Sequence, residues 1–260
     1  MAPDNSGCRR FDDAKMTVAP KKQKFAVFDV DGTFFRSGLY RELVREFMQR
    51  DEFERAERET IKDLELHWRR DRSDEAFNQL DLAMLKMFEE KLPRISVESY
   101  EEVVHTVVEN HANNVFSYTY NLAKQLKADG YTLIAISGSQ AELVERFMKS
   151  HGFDICVGLV HERSEGVFTG RSERVYDKKH TFLEDIVERQ QLTYEGSVGV
   201  GDSVGDIKMM SLVNRPIAFN PDRNLMKHAQ KHNWEVIVER KGCIYRIPRE
   251  ATVSVEDVYA

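Results

Sequence analysis

The run Phe25-Ala26-Val27-Phe28-Asp29-Val30-Asp31-Gly32-Thr33 constrains this chain more than any other stretch of it. An apolar segment that stops at two aspartates one residue apart, followed by Gly-Thr, reads as a buried strand with an abrupt end. Alternate strand residues share a side, so Asp29 and Asp31 are expected to converge just past the strand's C-terminal tip. Two carboxylates so close resist ionising together unless a cation lies between them. A plain turn is the competing reading, because Asp and Gly commonly follow strands. The run alone leaves both open.

The rest of the chain has to decide, and its size allows a real core. With 260 residues, 41% of them hydrophobic and 32% charged, the sequence fits one large domain or a core with an appendage. A net charge of −6 gives no reason to expect nucleic-acid binding, and Lys21-Lys22-Gln23-Lys24 reads as a solvated lead-in to the first strand. The cysteines Cys8, Cys156 and Cys243 are far apart, without metal-knuckle spacing or a disulfide framework. No apolar stretch approaches the ~20 residues of a membrane span, and no signal-peptide pattern opens the chain. The expectation is a cytoplasmic protein without a membrane or nucleic-acid partner.

Residues 1–22 are polar and aperiodic and read as a flexible tail. After the first strand, the next apolar strand ending in small polar residues is Tyr131–Ser137, followed by Gly138-Ser139. A helical pattern over Tyr118–Asp129 precedes it, stopped at Gly130. Ser139-Gln140-Ala141-Glu142 has the form of a capping box opening a helix to about Ser150. Further strands fit Ser197–Val200, Pro216–Phe219 and Glu235–Val238, with helices at Lys179–Gln190 and Asp206–Leu212 between them. Strands alternating with helices predict a mainly parallel α/β sheet with helices on both faces. The segment Gly158–Arg174 reads as a hairpin or an irregular excursion.

From Thr33 to Ser137 is 104 positions, whereas a βαβ unit needs roughly 30 residues. The surplus is enough for an inserted helical subdomain. Leu39, Leu43, Val44, Phe47 and Met48 form one apolar face; Phe77, Leu80, Met84, Met87 and Phe88 form a second; Val97, Tyr100, Val103, Val104, Val107 and Val108 form a third. The charged stretch Arg50–Arg72 reads as a solvated helix. The expected division is a core of 23–35 and 115–245, a helical cap of 36–114, and a tail of 246–260.

In an open parallel sheet, ligands bind beyond the carboxyl ends of the strands. The predicted tips here carry Asp29 and Asp31, Ser137, Asp202 and Asn220. Asp206 lies one helical turn past Asp202 and also suits a helix N-terminus. Three or four carboxylates in one cleft, with oxygen ligands only, suit Mg²⁺ shared with a substrate phosphate. Ser137 and the amides of Gly138 and Ser139 would give the phosphate its donors. Lys178 or Lys179 would give it a cation, although lysines at such positions are more often solvated.

Taken together, Asp29-Val30-Asp31-Gly32-Thr33, Ser137-Gly138-Ser139, Lys179 and Gly201-Asp202-Ser203-x-x-Asp206 resemble the four ordered motifs of the haloacid dehalogenase (HAD) superfamily. The helical insert resembles the cap of its phosphoserine-phosphatase-like branch, and the likeness runs over roughly residues 24–240. The resemblance implies a Rossmann-like fold with Asp29 as the nucleophile that forms an aspartyl-phosphate. It implies Asp31 as the acid/base, protonating the leaving alcohol and then deprotonating water. Mg²⁺ would be held by the Asp29 carboxylate, the Asp31 carbonyl and Asp202, with Asp206 supporting, and Ser137 and Lys179 would clamp the phosphoryl oxygens. Lys179 is preferred to Lys178 because Leu183 completes the family's Lys-x-x-x-Leu spacing. Asn220-Pro221-Asp222 with Leu225 resembles the family's last-strand segment.

Two positions depart from that branch. Gly38 stands where phosphoserine phosphatases usually carry a glutamate for the substrate's amino group, and Gly205 stands where an asparagine is common. Arg36 or Arg41 could instead take a second anionic group, although exposed helix arginines are commoner. The expected activity is hydrolysis of a small phosphomonoester, a phosphorylated metabolite. The alternatives are a phosphoserine phosphatase proper, a phosphotransferase, or a non-catalytic binding module.

Overall fold

The strands that the alternating pattern predicts do pair, and they do so around the Asp-tipped one. The computed structural model describes residues 22–50, 52–173, 175–249 and 251. Its strands are β1 (Lys24–Phe28), β2 (Thr132–Gln140), β3 (Ile155–Ser164), β4 (Val167–Glu173), β5 (Thr193–Gly201), β6 (Arg215–Phe219), β7 (Glu235–Arg240) and β8 (Cys243–Ile247). They form one sheet in the order β4-β3-β2-β1-β5-β6-β7-β8. Every pairing from β3 to β7 is parallel, and an antiparallel strand closes each edge.

The chain runs outward from β1 through β2 to β3, then returns to β5 on the opposite side of β1. Such a reversal leaves a crevice at the carboxyl ends of the strands flanking it. Register fixes what faces that crevice. Phe28 is level with Ala135 of β2 and Val200 of β5, so Asp29, Ser137 and Asp202 leave neighbouring tips at nearly the same height.

The insert between β1 and β2 is helical: α1 (Leu39–Gln49), α2 (Arg55–Asp71), α3 (Asp74–Lys91), α4 (Val97–His111) and then α5 (Ser117–Ala128). The three apolar faces predicted for it are where it packs. Phe47 of α1 sits 5.7 Å from Phe88 of α3 and 6.2 Å from Tyr100 of α4, between ring centroids. Ile61 is the buried residue of the charged helix α2, as a solvated helix requires.

Side chains alternate along β1, and each set joins a different core. Ala26 and Phe28 pack with the insert and with α6 (Ala141–Ser150). Phe25 and Val27 pack on the other face with α7 (Lys179–Arg189), the short α8 (Ile207–Met210) and α9 (Arg223–Lys231). Helices therefore cover both faces, as a sheet with apolar residues on both sides demands.

The segment Gly158–Arg174 resolves into the hairpin β3–β4, turned by Glu165 and Gly166 with φ of 51° and 82°. Two successive positive φ values are those of a tight hairpin turn. The same turn recurs at Lys241-Gly242, φ 50° and 75°, and launches β8, a strand the sequence reading does not anticipate. β8 runs through residue 246, where that reading starts a tail; the N-terminal segment 1–21 lies outside the described residues.

Candidate active site

Burial is the first property of the crevice. Asp29, Lys179 and Asp206 are at most 4% exposed, and Ser137 is fully buried. Lys179 opens α7 and reaches back under β1, where its Nζ donates to Asp29 Oδ1 at 2.6 Å and to Asp206 Oδ1 at 2.7 Å. Burial alone would pull its pKa down, but the carboxylates of Asp206 and Asp29 outweigh it and hold the ammonium charged. Its neighbour Lys178 is exposed.

Asp206 spends its other oxygen on its own loop. Oδ2 accepts from the amides of Asp202 and Ser203 and from the Ser203 hydroxyl, each at 3.1 Å. Both of its oxygens are thus satisfied, and the side chain acts as a brace that ties Lys179 to the loop carrying Asp202. Asp29 differs. Its Oδ2 is buried and has no hydrogen-bond partner among the described residues. Burial raises its pKa to about 7; Lys179 pulls it down, while Asp206 and Asp31 push it up. Asp202 is also raised well above the usual carboxylate range, by burial and then by Asp29 and Asp206.

Asp29, Asp202 and Asp206 offer carboxylate oxygens within 4.8 Å of one another. A buried acceptor without a donor, in a group of oxygen-only ligands, fits a hard divalent cation such as Mg²⁺. Asp206 already accepts hydrogen bonds at both oxygens, so Asp29 Oδ2 and Asp202 are the oxygens least committed to protein partners.

Asp31 is turned towards the insert. Its Oδ1 accepts from the backbone amide of Leu39, the first residue of α1, at 2.6 Å. Its Oδ2 accepts from the hydroxyls of Ser137 and, at 2.9 Å, Ser139. The expected capping box at Ser139 is not formed. β2 runs on to Gln140, which occupies the cap position without a side-chain bond. The Ser139 hydroxyl is committed instead to Asp31 and to the Tyr40 amide, 2.9 Å away. The Ser139 amide donates to Ser137 Oγ at 2.8 Å, so that amide is already occupied.

Sequence reasoning missed Tyr176, two residues before Lys178. Its Cβ and ring edge lie 3.7 and 3.8 Å from where a Gly138 Cβ would stand, and its ring tip 3.0–3.1 Å from where one at Gly205 would. The ring thus spans the rim from the β2 tip to the Asp202 loop and remains 57% exposed. Gly205 is the signal, since a Cβ there would crowd the tip of the ring.

Arg36 is drawn away from the crevice. Its Nε donates to the Val115 carbonyl at 2.8 Å, and its guanidinium lies over Phe116 and pairs with Glu239. Glu239 in turn accepts from the amides of Ser117 and Tyr118 that open α5, at 3.1 and 2.7 Å. A guanidinium built into that network does not serve as an anion site.

The sequence model of the haloacid dehalogenase-like hydrolases matches residues 26–211, from β1 past the Asp202 loop. The chain belongs to that family. Its relatives include the phosphoserine phosphatase SerB1 of Mycobacterium tuberculosis, 27% identical over 150 residues, or 56% of this chain and 46% of that protein. The phosphoserine phosphatase of Methanocaldococcus jannaschii is 25% identical over 225 residues, 85% of this chain and 94% of that one. The chain spans about half the length of the mycobacterial relatives it matches.

Among solved structures, a protein of unknown function from Bordetella pertussis Tohama I superposes with a TM-score of 0.66 at 19% identity, covering 83% of this chain and 98% of that one. A phospho-aspartyl intermediate analogue of phosphoserine phosphatase superposes at 0.56 and 22%, covering 85% and 95%. At these identities the superpositions establish a shared fold. No helix among the described residues is long and apolar enough to cross a membrane.

Proposed function

We propose that this protein is a Mg²⁺-dependent phosphatase that hydrolyses a small phosphomonoester through an aspartyl-phosphate on Asp29. The observation that carries the reading is the asymmetry of Asp29, with Oδ1 tied to Lys179 and Oδ2 buried without a donor among the described residues. A structural salt bridge has no need of that second, unsatisfied oxygen. Membership of the family and the names of its phosphoserine phosphatase relatives support the same chemistry.

Three carboxylates (Asp29, Asp202 and Asp206) face one buried ammonium, with Asp31 entering protonated, so a phosphate dianion would meet net negative charge. Mg²⁺ held by the Asp29 carboxylate, the Asp31 carbonyl and Asp202 would supply the missing positive charge and polarise the phosphoryl group. Lys179 and Ser137, whose hydroxyl turns from Asp31 to the substrate, hold the phosphoryl oxygens, with the Gly138 backbone beside them. The Asp29 carboxylate attacks phosphorus, and the bond from phosphorus to the ester oxygen breaks. Asp31 gives its proton to the departing alkoxide, then takes one from water as that water cleaves the aspartyl-phosphate. The water oxygen ends on inorganic phosphate, and both aspartates return to their starting states. The names of the phosphoserine phosphatase relatives support a small phosphorylated metabolite as the substrate.

Asp29→Asn removes the nucleophile while keeping its size. Turnover of p-nitrophenyl phosphate with Mg²⁺ is expected to vanish from the variant while its circular dichroism is unchanged. Wild-type turnover by the variant would overturn the assignment, and alcohol acceptors in the assay separate transfer from hydrolysis.

A further inference from the structure

Arg41 stands at the third position of α1, where a cation opposes the positive end of the helix dipole. Helical side chains lean towards the N-terminus, and this one folds back fully over the helix end. A Cβ at Gly38 would lie 2.6 Å from the guanidinium carbon and 2.8–2.9 Å from its two terminal nitrogens. The bare Cα of Gly38 is what lets the head lie there.

That helix end is the one that holds the reactive carboxylate. The Leu39 amide, one residue from Gly38, donates to Asp31 Oδ1 at 2.6 Å. The Tyr40 amide donates to Ser139 Oγ, which itself donates to Asp31 Oδ2. The guanidinium is therefore separated from Asp31 by one peptide link and one hydrogen bond.

Its pairing is thin for that location. A guanidinium carries five donors, and among the described residues the ion pair Arg41 makes is a single 3.4 Å contact with Asp81 Oδ1, whose side chain is 41% exposed. By contrast, Arg45 one turn on meets Glu42 at 2.8 Å and Glu65 at 2.7 Å. The Phe77 ring, 5.1 Å from the Arg41 guanidinium carbon, backs it without satisfying a donor.

A second polar group lies on the preceding residue of the same helix turn. The Tyr40 hydroxyl is buried and has no hydrogen-bond partner among the described residues, with its ring packed 6.0 Å from Phe88. Burial, then the charges of Asp81 and Glu89, keep the phenol protonated, so it enters as a donor. Leaving such a group unpaired is costly in a folded protein.

We propose that Arg41 and the Tyr40 hydroxyl form an oxyanion subsite for an acidic group on the alcohol portion of the substrate. The subsite selects phosphomonoesters whose leaving alcohol bears a carboxylate or a second phosphate. It rests on the phosphatase reading above and adds to it the charge of the leaving group. An entering oxyanion takes the guanidinium from Asp81, which turns to solvent, and gains charge-assisted hydrogen bonds from a planar donor fork.

The test is a two-carbon series that differs only at the far end: ethyl phosphate, phosphoethanolamine, phosphoglycolate and ethylene glycol bisphosphate, each with Mg²⁺. The expected kcat/KM for phosphoglycolate or the bisphosphate exceeds that for ethyl phosphate by roughly 10- to 100-fold, with phosphoethanolamine at or below ethyl phosphate. The better of the two acidic esters identifies carboxylate or phosphate as the natural group. Arg41→Gln is expected to bring the ratio of acidic to neutral ester close to one, and Tyr40→Phe to lower it in part. Equal kcat/KM across the series, a preference for phosphoethanolamine, or an unchanged ratio in Arg41→Gln would overturn the subsite. The Kd values of the same four esters on the folded Asp29→Asn variant read the preference without turnover. A wild type that hydrolyses none of the esters sinks the phosphatase reading, whereas equal Kd values on Asp29→Asn sink the subsite.

Discussion

The carboxylate of Asp202 lies against the bare Cα of Gly32: a Cβ on Gly32 would stand 2.1 Å from Asp202 Oδ2 and 3.0 Å from its Cγ. Gly32 also has φ of +88°, a region an L side chain rarely enters. Two requirements thus fall on one residue, a left-handed turn and room for the proposed metal ligand. Gly32→Ala is expected to destabilise the fold by about 1–3 kcal/mol through the backbone alone and to displace Asp202 besides. Chemical denaturation reads the first effect and phosphatase activity the second. A variant with wild-type activity would show that Asp202 does not need its observed position.

Lys179 bridges Asp29 and Asp206 with all three side chains at most 4% exposed. Lys179→Met keeps most of the volume and leaves two carboxylates buried without their cation. Breaking a buried pair in this way costs about 3–5 kcal/mol. The Lys179 charge also holds the Asp29 pKa down against burial, so without it Asp29 takes up a proton near neutral pH and stops being a nucleophile. The expected outcome is a lowered midpoint in urea together with a loss of kcat on the order of 10²–10³ or more. A variant that loses stability but keeps kcat would remove Lys179 from the reaction.

Much of this site was legible in the sequence because its parts sit at strand tips and are chemically distinctive. Asp29, Asp31, Ser137, Lys179, Asp202 and Asp206 all lie in the crevice or line it. What the sequence hides is the choice among partners. Ser139 has the pattern of a helix cap, yet a carboxylate 108 residues away takes its hydroxyl. Arg36 looks free for a ligand, yet Glu239, 203 residues away, claims its guanidinium. Local spacing carries no information about either competitor. β8 was illegible for a different reason: it is a short edge strand whose residues Cys243–Arg246 are exposed, so it lacks the alternating burial that reveals a strand. The Lys241-Gly242 turn was its signal.

His161 on β3 is 5% exposed, lies 6.2 Å from the ring of Phe88 and 6.3 Å from that of Phe168, and its Nε2 has no partner among the described residues. Burial, then the charge of Arg163, lowers its pKa to about 4. The unfolded chain therefore binds this proton more readily than the native one between about pH 6.5 and 4. The contribution is fully present above pH 6.5 and is lost as pH falls towards 4, by at most about 3 kcal/mol. Thermal unfolding across that window is expected to show a falling midpoint, and His161→Leu is expected to flatten it. An equally steep decline in the variant would assign the effect to the carboxylates.

A cation that binds the native crevice and not the unfolded chain must stabilise the fold. The ligands least committed elsewhere are Asp29 Oδ2, which lacks a partner among the described residues, and Asp202, whose charge is opposed by Asp29 and Asp206. Binding therefore relieves repulsion as well as adding contacts. At a Mg²⁺ concentration about 100 times Kd, linkage gives about 2.7 kcal/mol, or a rise in Tm of roughly 5–10 °C for a chain of this size. Chelation with EDTA is expected to abolish phosphatase activity and to remove that rise, and added Mg²⁺ to restore both. Asp202→Asn removes one of the proposed carboxylate ligands and one of the opposing charges together. Its midpoint without metal is expected to equal or exceed that of the wild type, while the shift with Mg²⁺ shrinks. Activity that survives EDTA, or a Mg²⁺ shift of full size in Asp202→Asn, would exclude this pair of oxygens as the metal site.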